Sequence, residues 1–448
     1  MEEQENKNLQ ENSSTAQQIS DFMQEQIKQR SLSSRKMTRR FFQTVGLALV
    51  FGLVACLIFV LLQPVITRVL FPQESAVSFP EETAEEISPE ELIASEQEKE
   101  EVAASQTAEQ IHEQVKALLE EYPLTLDQYS QVHTSLYDLT GKYSNSVVTI
   151  SAITSDQNMW GDTVENQSSC AGVFLADTGE SLLAAAFMPP SESGVEYRIT
   201  LSDGSSAGAR IRQTDAITGL SILEVNKNDF SKETLEKAIP LELGSSARAE
   251  GEPVIAIGSV TGQTGSFGYG VIRGRQIMNL ADSEYSLLTT DIYGSSTASG
   301  VLVNLEGKIM GLIDMNHRIK DMPNMICGVG ITELRGLITK LSNSRQKAYL
   351  GIHGSTITEE ISKAQDLPVG LYVTEVDMDS PAMAAGLASG DILIQAGETP
   401  VTSYRDLINV LMVSEPEDTV RLKLRRSNNG SWNEMQVTVT LAVFKKEN

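Results

Sequence analysis

Hydrophobic and polar positions change texture repeatedly along the chain. From 45 to 62 every side chain is apolar or small, and no charge occurs between Arg40 and Arg68. About twenty apolar residues at 1.5 Å rise cross a bilayer core, so this run predicts one transmembrane helix within 41–70. Further on, Ile111, Val115, Leu118 and Leu119 recur at helical spacing and predict a helix over roughly 102–121. From about 140 the pattern breaks into short β-rich runs at 146–150, 173–175, 197–201, 222–225, 254–257, 301–304 and 308–313, separated by Gly, Asp, Ser and Asn. Many short strands with turn residues between them predict a sandwich or barrel, and about 200 residues suit two small barrels side by side. At 403–412 the helical period returns, with Ser403 as cap and Leu407, Val410 and Leu411 as its apolar positions.

Charge sharpens this outline. The 448 residues exceed one ordinary core, and the net charge of −25 repels phosphate backbones, which argues against nucleic acid as a partner. Lys28, Arg30, Arg35, Lys36, Arg39 and Arg40 precede the apolar run, whereas only Arg68 follows closely. The positive-inside rule then puts the N-terminus in the cytoplasm and all that follows outside a cytoplasmic membrane. A cleaved signal peptide would have a shorter apolar region and a shorter leader. Between 74 and 121 stand fifteen Glu against two Lys, a self-repelling acidic spacer. The polar residues before the run read as a disordered tail. The resulting division is a tail at 1–40, an anchor at 41–70, an acidic linker and helix at 71–133, a double barrel at 134–343 and a last domain at 344–448.

The three cysteines, Cys56, Cys170 and Cys327, show no CxxC or Cys/His spacing, so neither a metal nor a cofactor is expected. Cys56 lies in the apolar run. Cys170 and Cys327 read best as small buried hydrophobes, and the sequence leaves open whether they are paired.

The order of the β-rich runs resembles the protease domain of the HtrA/Deg family. CAGVFLADTGESLLAAAF (170–187) is similar to the segment that enters the loop with the catalytic histidine. ITLSDGSSAGARI (199–211) and DAITGLSILEV (215–225) resemble the approach to the aspartate. LGSSARAEGEPVIAIGSVTGQTGSFGYGVIRGR (243–275) resembles the crossover into a second barrel, and LLTTDIYGSSTASGVLVNLEGKIMGL (287–312) the serine-bearing loop. The resemblance implies a mainly β fold, with a trypsin-like (chymotrypsin-fold) double barrel. It also implies a PDZ domain over 348–444, where Tyr349-Leu350-Gly351-Ile352 is similar to the carboxylate-binding loop and 380–401 matches the family's internal signature, with Gly386 and Gly390 in tight turns.

Set on the family's pattern, the triad is missing. Ala186 falls at the histidine, Gly219 at the aspartate, and Ala298 at the serine when counted back from the following strand; counted forward from Asp291, Ser299 falls there instead. The four histidines are His112, His133, His317 and His353, none between 134 and 316, and each reads as an exposed polar residue. Acyl transfer needs an imidazole or equivalent within reach of the hydroxyl. A Ser-Lys arrangement would draw on Lys308, which sits in a Glu-Gly-Lys turn that reads as a solvated hairpin.

The expectation is a membrane-anchored, catalytically inactive relative, working as a scaffold or sensor in envelope protein quality control. It would bind peptides or protein C-termini through Tyr349, Leu350, Gly351, Ile352, Leu407 and Val410. Arg345 and Lys347 would either add charge near the ligand carboxylate or merely flank a linker. Two other readings stay open: an active envelope endopeptidase with a rearranged site, and a holdase for unfolded envelope proteins. The resemblance also implies a homotrimer.

Overall fold

Alternation along the strands sorts side chains between two closed barrels and the seam that joins them. In the computed structural model residues 76–80, 125–157, 163–189, 194–428 and 431–444 are described. The expected tail, anchor and acidic helix lie outside these. No helix among the described residues is long and apolar enough to cross a membrane.

The first barrel contains β1 (Val147–Gln157), β2 (Thr163–Asp177), β3 (Ser181–Phe187), β4 (Glu196–Thr200), β5 (Ser206–Thr214) and β6 (Leu220–Asn226), in the order β1-β2-β3-β6-β5-β4. The second contains β7 (Pro253–Gly258), β8 (Ser266–Leu280), β9 (Ser283–Tyr293), β10 (Ser299–Asn304), β11 (Ile309–Asp314) and β12 (Met325–Gly330), in the order β10-β11-β12-β9-β8-β7. Successive side chains of a strand point to opposite faces. On β3, Leu182, Ala184 and Ala186 therefore fill the first barrel, while Leu183 and Ala185 enter the seam. On β10, Leu302 fills the second barrel, whereas Val301 and Val303 meet β3 and its neighbours. Buried on both faces, these strands read in sequence as short continuous apolar runs.

Two helices close the seam. The first, α1 (Leu126–Ser144), has a capping box made by Thr125 and Gln128 and buries Tyr143 at its end. Its weak apolar period hid it in the sequence. A short helix, α2 (Lys232–Lys237), follows β6. The other sealing helix, α3 (Ile331–Ser342), lays Ile331, Leu334, Leu337, Ile338 and Leu341 into the same cluster. Each such fully buried side chain stabilises the fold by about 2 kcal/mol.

The described residues form one compact unit. Its last part is a sheet ordered β13 (Ile352–Ile357), β14 (Gly370–Val376), β15 (Ile392–Ala396), β17 (Thr419–Asn428), β18 (Ser431–Thr440), with β16 (Thr399–Pro400) paired to β15. Against it lie α4 (Glu359–Gln365), α5 (Pro381–Ala384) and α6 (Tyr404–Val413). Ser403 caps α6 in a capping box with Asp406, as its spacing predicts. Gly386 and Gly390 both turn the chain at positive φ. Cys170 and Cys327 are free thiols, Cys327 buried and Cys170 half-buried.

Candidate functional site

The seam brings the serine-loop residues to the first barrel. Ser299 opens β10, and on the same face as Val301 it points across the seam, where its Oγ accepts a hydrogen bond from the main-chain N–H of Ala171 on β2 at 2.8 Å. Its carbonyl accepts from the Ser259 amide, also at 2.8 Å. Ala298 precedes the strand and is buried in the second barrel's core among apolar side chains. Beside them opens a cleft of about 250 Å³, lined among others by Val147, Thr149, Ala171, Thr200, Gly258 and Gly265. Among the described residues, no titratable side chain lines it.

The position set opposite the family's histidine lies on β3. Ala186 pairs with Ser221 and faces the interior of the first barrel, while Ala185 and Phe187 face the seam. None of the three side chains carries a nitrogen. Gly219 stands in a turn at φ 77°, its N–H bonded to the Asp215 carbonyl, and a left-handed turn is what glycine adopts without strain. Asp215 folds back on the same turn, accepting from the Thr218 amide at 2.9 Å and the Thr218 hydroxyl at 2.6 Å. Its carboxylate is thereby committed to holding the loop.

The imidazoles are placed elsewhere. His133, exposed on α1, packs edge to face on Tyr129 with ring centroids 4.6 Å apart. His317 and His353 are not simply exposed polar residues, for each is half-buried against a carboxylate: His317 Nδ1 lies 2.5 Å from Asp314 Oδ2, and His353 Nε2 lies 3.0 Å from Asp377 Oδ1. Asp314 pairs with Ser299 in the β10–β11 ladder. The hydrogen bond to Asp314 raises the His317 pKa above the ordinary imidazole value, against the opposing effect of burial. Among the described residues, no hydrogen bond joins an imidazole to the Ser299 hydroxyl. Lys308 pairs with Glu306 at 3.2 Å on an exposed turn, as its surroundings predict.

The second cluster is the loop Tyr349-Leu350-Gly351-Ile352, ahead of the edge strand β13. Gly351 has φ 87° and lies so close to Ser380 that a Cβ would collide with it. Its conformation turns successive amides toward one point, a nest suited to a carboxylate. That point is filled. Asp282, at φ 52° in the turn between β8 and β9, accepts through Oδ2 from the amides of Leu350 at 2.6 Å and Gly351 at 2.7 Å, and through Oδ1 from Ile352 at 3.1 Å. Burial pushes its carboxyl pKa up, while the Lys347 ammonium and the three amides pull it down. Of the residues expected to line a peptide pocket, Leu350, Ile352 and Leu407 are buried in the domain core, with Val410 packed against them.

A PDZ domain family model matches 328–443. Curated relatives include the putative serine protease HhoB of Synechocystis, 26% identical over 279 residues, and the periplasmic pH-dependent serine endoprotease DegQ of Escherichia coli, 27% identical over 250 residues. These matches take in 58% and 54% of this chain, and 64% and 53% of the respective relatives. The chain thus spans between half and two-thirds of their length. Among solved structures, the HtrA-type protease AlgW with decapeptide aligns at TM-score 0.51 and 17% identity, over 69% of this chain and 99% of that one.

The chain is similar to HtrA/Deg-type proteases and carries a PDZ domain in its last part. Sequence order located both clusters but missed what fills them. Neither Asp282 nor the Asp314 and His317 pair belongs to a local motif. The only local sign of Asp282 is an acidic residue in a turn that demands positive φ, where Asp is among the few tolerated residues.

Proposed function

We propose that this chain is a membrane-anchored, catalytically inactive relative of the HtrA/Deg proteases that binds peptides or protein C-termini through its PDZ domain. The observation that carries the reading is the bond between Ala171 N–H and Ser299 Oγ: the hydroxyl that counting forward sets at the nucleophile's position accepts from an amide, and among the described residues no base is hydrogen-bonded to it. The alanine and phenylalanine side chains of 185–187 and the side-chain-free Gly219 support it from the other two triad positions. The apolar run at 45–62 and the basic residues before it support an anchor in a cytoplasmic membrane with the folded domains outside. The PDZ nest, built from three amides around one carboxylate, supports recognition of a terminal carboxylate.

One observation favours the alternative of an active endopeptidase, namely that Asp314, the partner of His317, stands directly opposite Ser299 in the β10–β11 ladder. The test is labelling of the full-length chain in detergent with a serine-directed fluorophosphonate, together with casein hydrolysis. The expected result is neither labelling nor cleavage. Labelling that Ser299→Ala abolishes would establish the active enzyme instead.

A further inference from the structure

The turn between β8 and β9 does more than touch the PDZ domain. Besides placing its carboxylate among the amides of Leu350, Gly351 and Ile352, Asp282 donates its own main-chain N–H to the Ile352 carbonyl at 2.9 Å. A peptide that adds beside an edge strand bonds through its main chain, and a captured terminus places a carboxylate in a nest of amides. Asp282 performs both roles at one residue, with a side-chain carboxylate in place of a terminal one.

The surroundings fix it there. Lys347 Nζ donates to the Asp282 carbonyl at 2.9 Å and to the Ser283 hydroxyl. The Tyr404 hydroxyl, at the head of α6, lies 2.9 Å from the Ile352 carbonyl and 3.1 Å from the Leu280 carbonyl. The two walls of a PDZ groove, β13 and α6, are thus both bonded to the second barrel, and Asp282 is buried between them. Buried amides must be paired, so the nest is satisfied either by this residue or by a ligand. There is room for one carboxylate.

We infer that Asp282 is a built-in competitor for the PDZ carboxylate nest, so that a ligand with a free C-terminal carboxylate binds only as Asp282 withdraws, and ligand binding and docking of the PDZ domain on the second barrel exclude each other. The inference rests on the reading of the PDZ domain as a C-terminus receptor. When the competent state is a minor fraction, apparent affinity falls by that fraction, and removing the competitor restores it.

The test uses the full-length chain in detergent and a pool of N-terminally fluorescein-labelled decapeptides, randomised except for a terminal Val, Leu, Ile or Phe, as free acids and as C-terminal amides. Asp282→Gly suits the left-handed turn and removes the carboxylate. It is expected to tighten binding of the free acids by roughly tenfold or more, leave the amides unbound, and speed hydrogen exchange at the amides of 350–352 while exchange in β10 and β11 stays at the wild-type rate. Asp282→Asn, which also tolerates the turn, is expected to shift both readouts the same way by less. Equal affinity in wild type and both variants, with exchange at 350–352 unchanged, overturns the competitor and leaves the receptor reading standing. If no free acid binds wild type or variant although exchange at 350–352 accelerates, the receptor reading itself fails and the competitor falls with it.

Discussion

Ser299 and Asp314 stand opposite each other in the ladder between β10 and β11, yet the serine hydroxyl accepts its hydrogen bond across the seam, from the Ala171 amide at 2.8 Å. The hydroxyl therefore ties the two barrels together, and the carboxylate holds an imidazole. An activated serine donates its proton to a base, and among the described residues no base is hydrogen-bonded to this hydroxyl.

Ser299→Ala should accordingly act as a stability variant. Losing one acceptor for a partly buried amide costs about 1 kcal/mol. The expected outcome is a lower urea midpoint of that size and faster exchange of the Ala171 amide, with no change in fluorophosphonate labelling or casein turnover. An unchanged midpoint would mean that the seam does not depend on this bond.

The imidazole of His317 gives a pH dependence whose sign is fixed by its partner. Its folded pKa is raised by Asp314, so its contribution to stability is complete below the unfolded value of about 6.5 and is lost as pH rises through the higher folded pKa. Solvent reaches the ring, so the size is modest. An NMR titration of the ring is expected to give an apparent pKa above 6.5, and Asp314→Asn to lower it. A titration at or below the ordinary value would refute the pairing.

In the PDZ domain, Asp391 is 1% exposed and holds Arg426 through two bonds, Nε to Oδ1 at 2.6 Å and Nη2 to Oδ2 at 2.7 Å. Removing the guanidinium leaves a buried carboxylate with only the Ala388 amide as its remaining side-chain partner. Arg426→Ala is expected to destabilise the domain by about 2 kcal/mol, discounted for the partial exposure of the arginine, and Arg426→Lys to recover only part because it lacks the planar fork. Thermal unfolding followed by circular dichroism measures both. Full recovery with lysine would indicate that charge alone matters.

How much of this was legible in the sequence depended on distance along the chain. The Ser403 cap, the turn glycines 386 and 390 and the strand runs were readable because capping, positive φ and short apolar runs act within a few residues. The helix α1 escaped because it presents few buried side chains, only Thr140 and Tyr143. The lack of an imidazole in the barrel loops was readable because it is a census: no histidine occurs between 134 and 316. Which face each residue takes was not readable. A one-residue shift exchanges the barrel interior for the seam, so Ala186 turns inward while Ala185 and Phe187 face the second barrel. The contact of Asp282 with residues 68 to 70 positions later follows from how two domains dock, and no local pattern encodes it.

The lysine at the end of α3 carries a further implication. Lys340 Nζ donates to the carbonyls of Met412 and Ser414, where α6 ends, placing a cation against the negative pole of that helix. Its own helix packs in the barrel seam, so α6 is completed by a residue upstream of the PDZ sheet. The covalent border near 344 and the electrostatic border of the domain do not coincide. A fragment started at 344 would leave those terminal carbonyls to water and fray at that end, whereas one started at 331 would carry its own counter-charge.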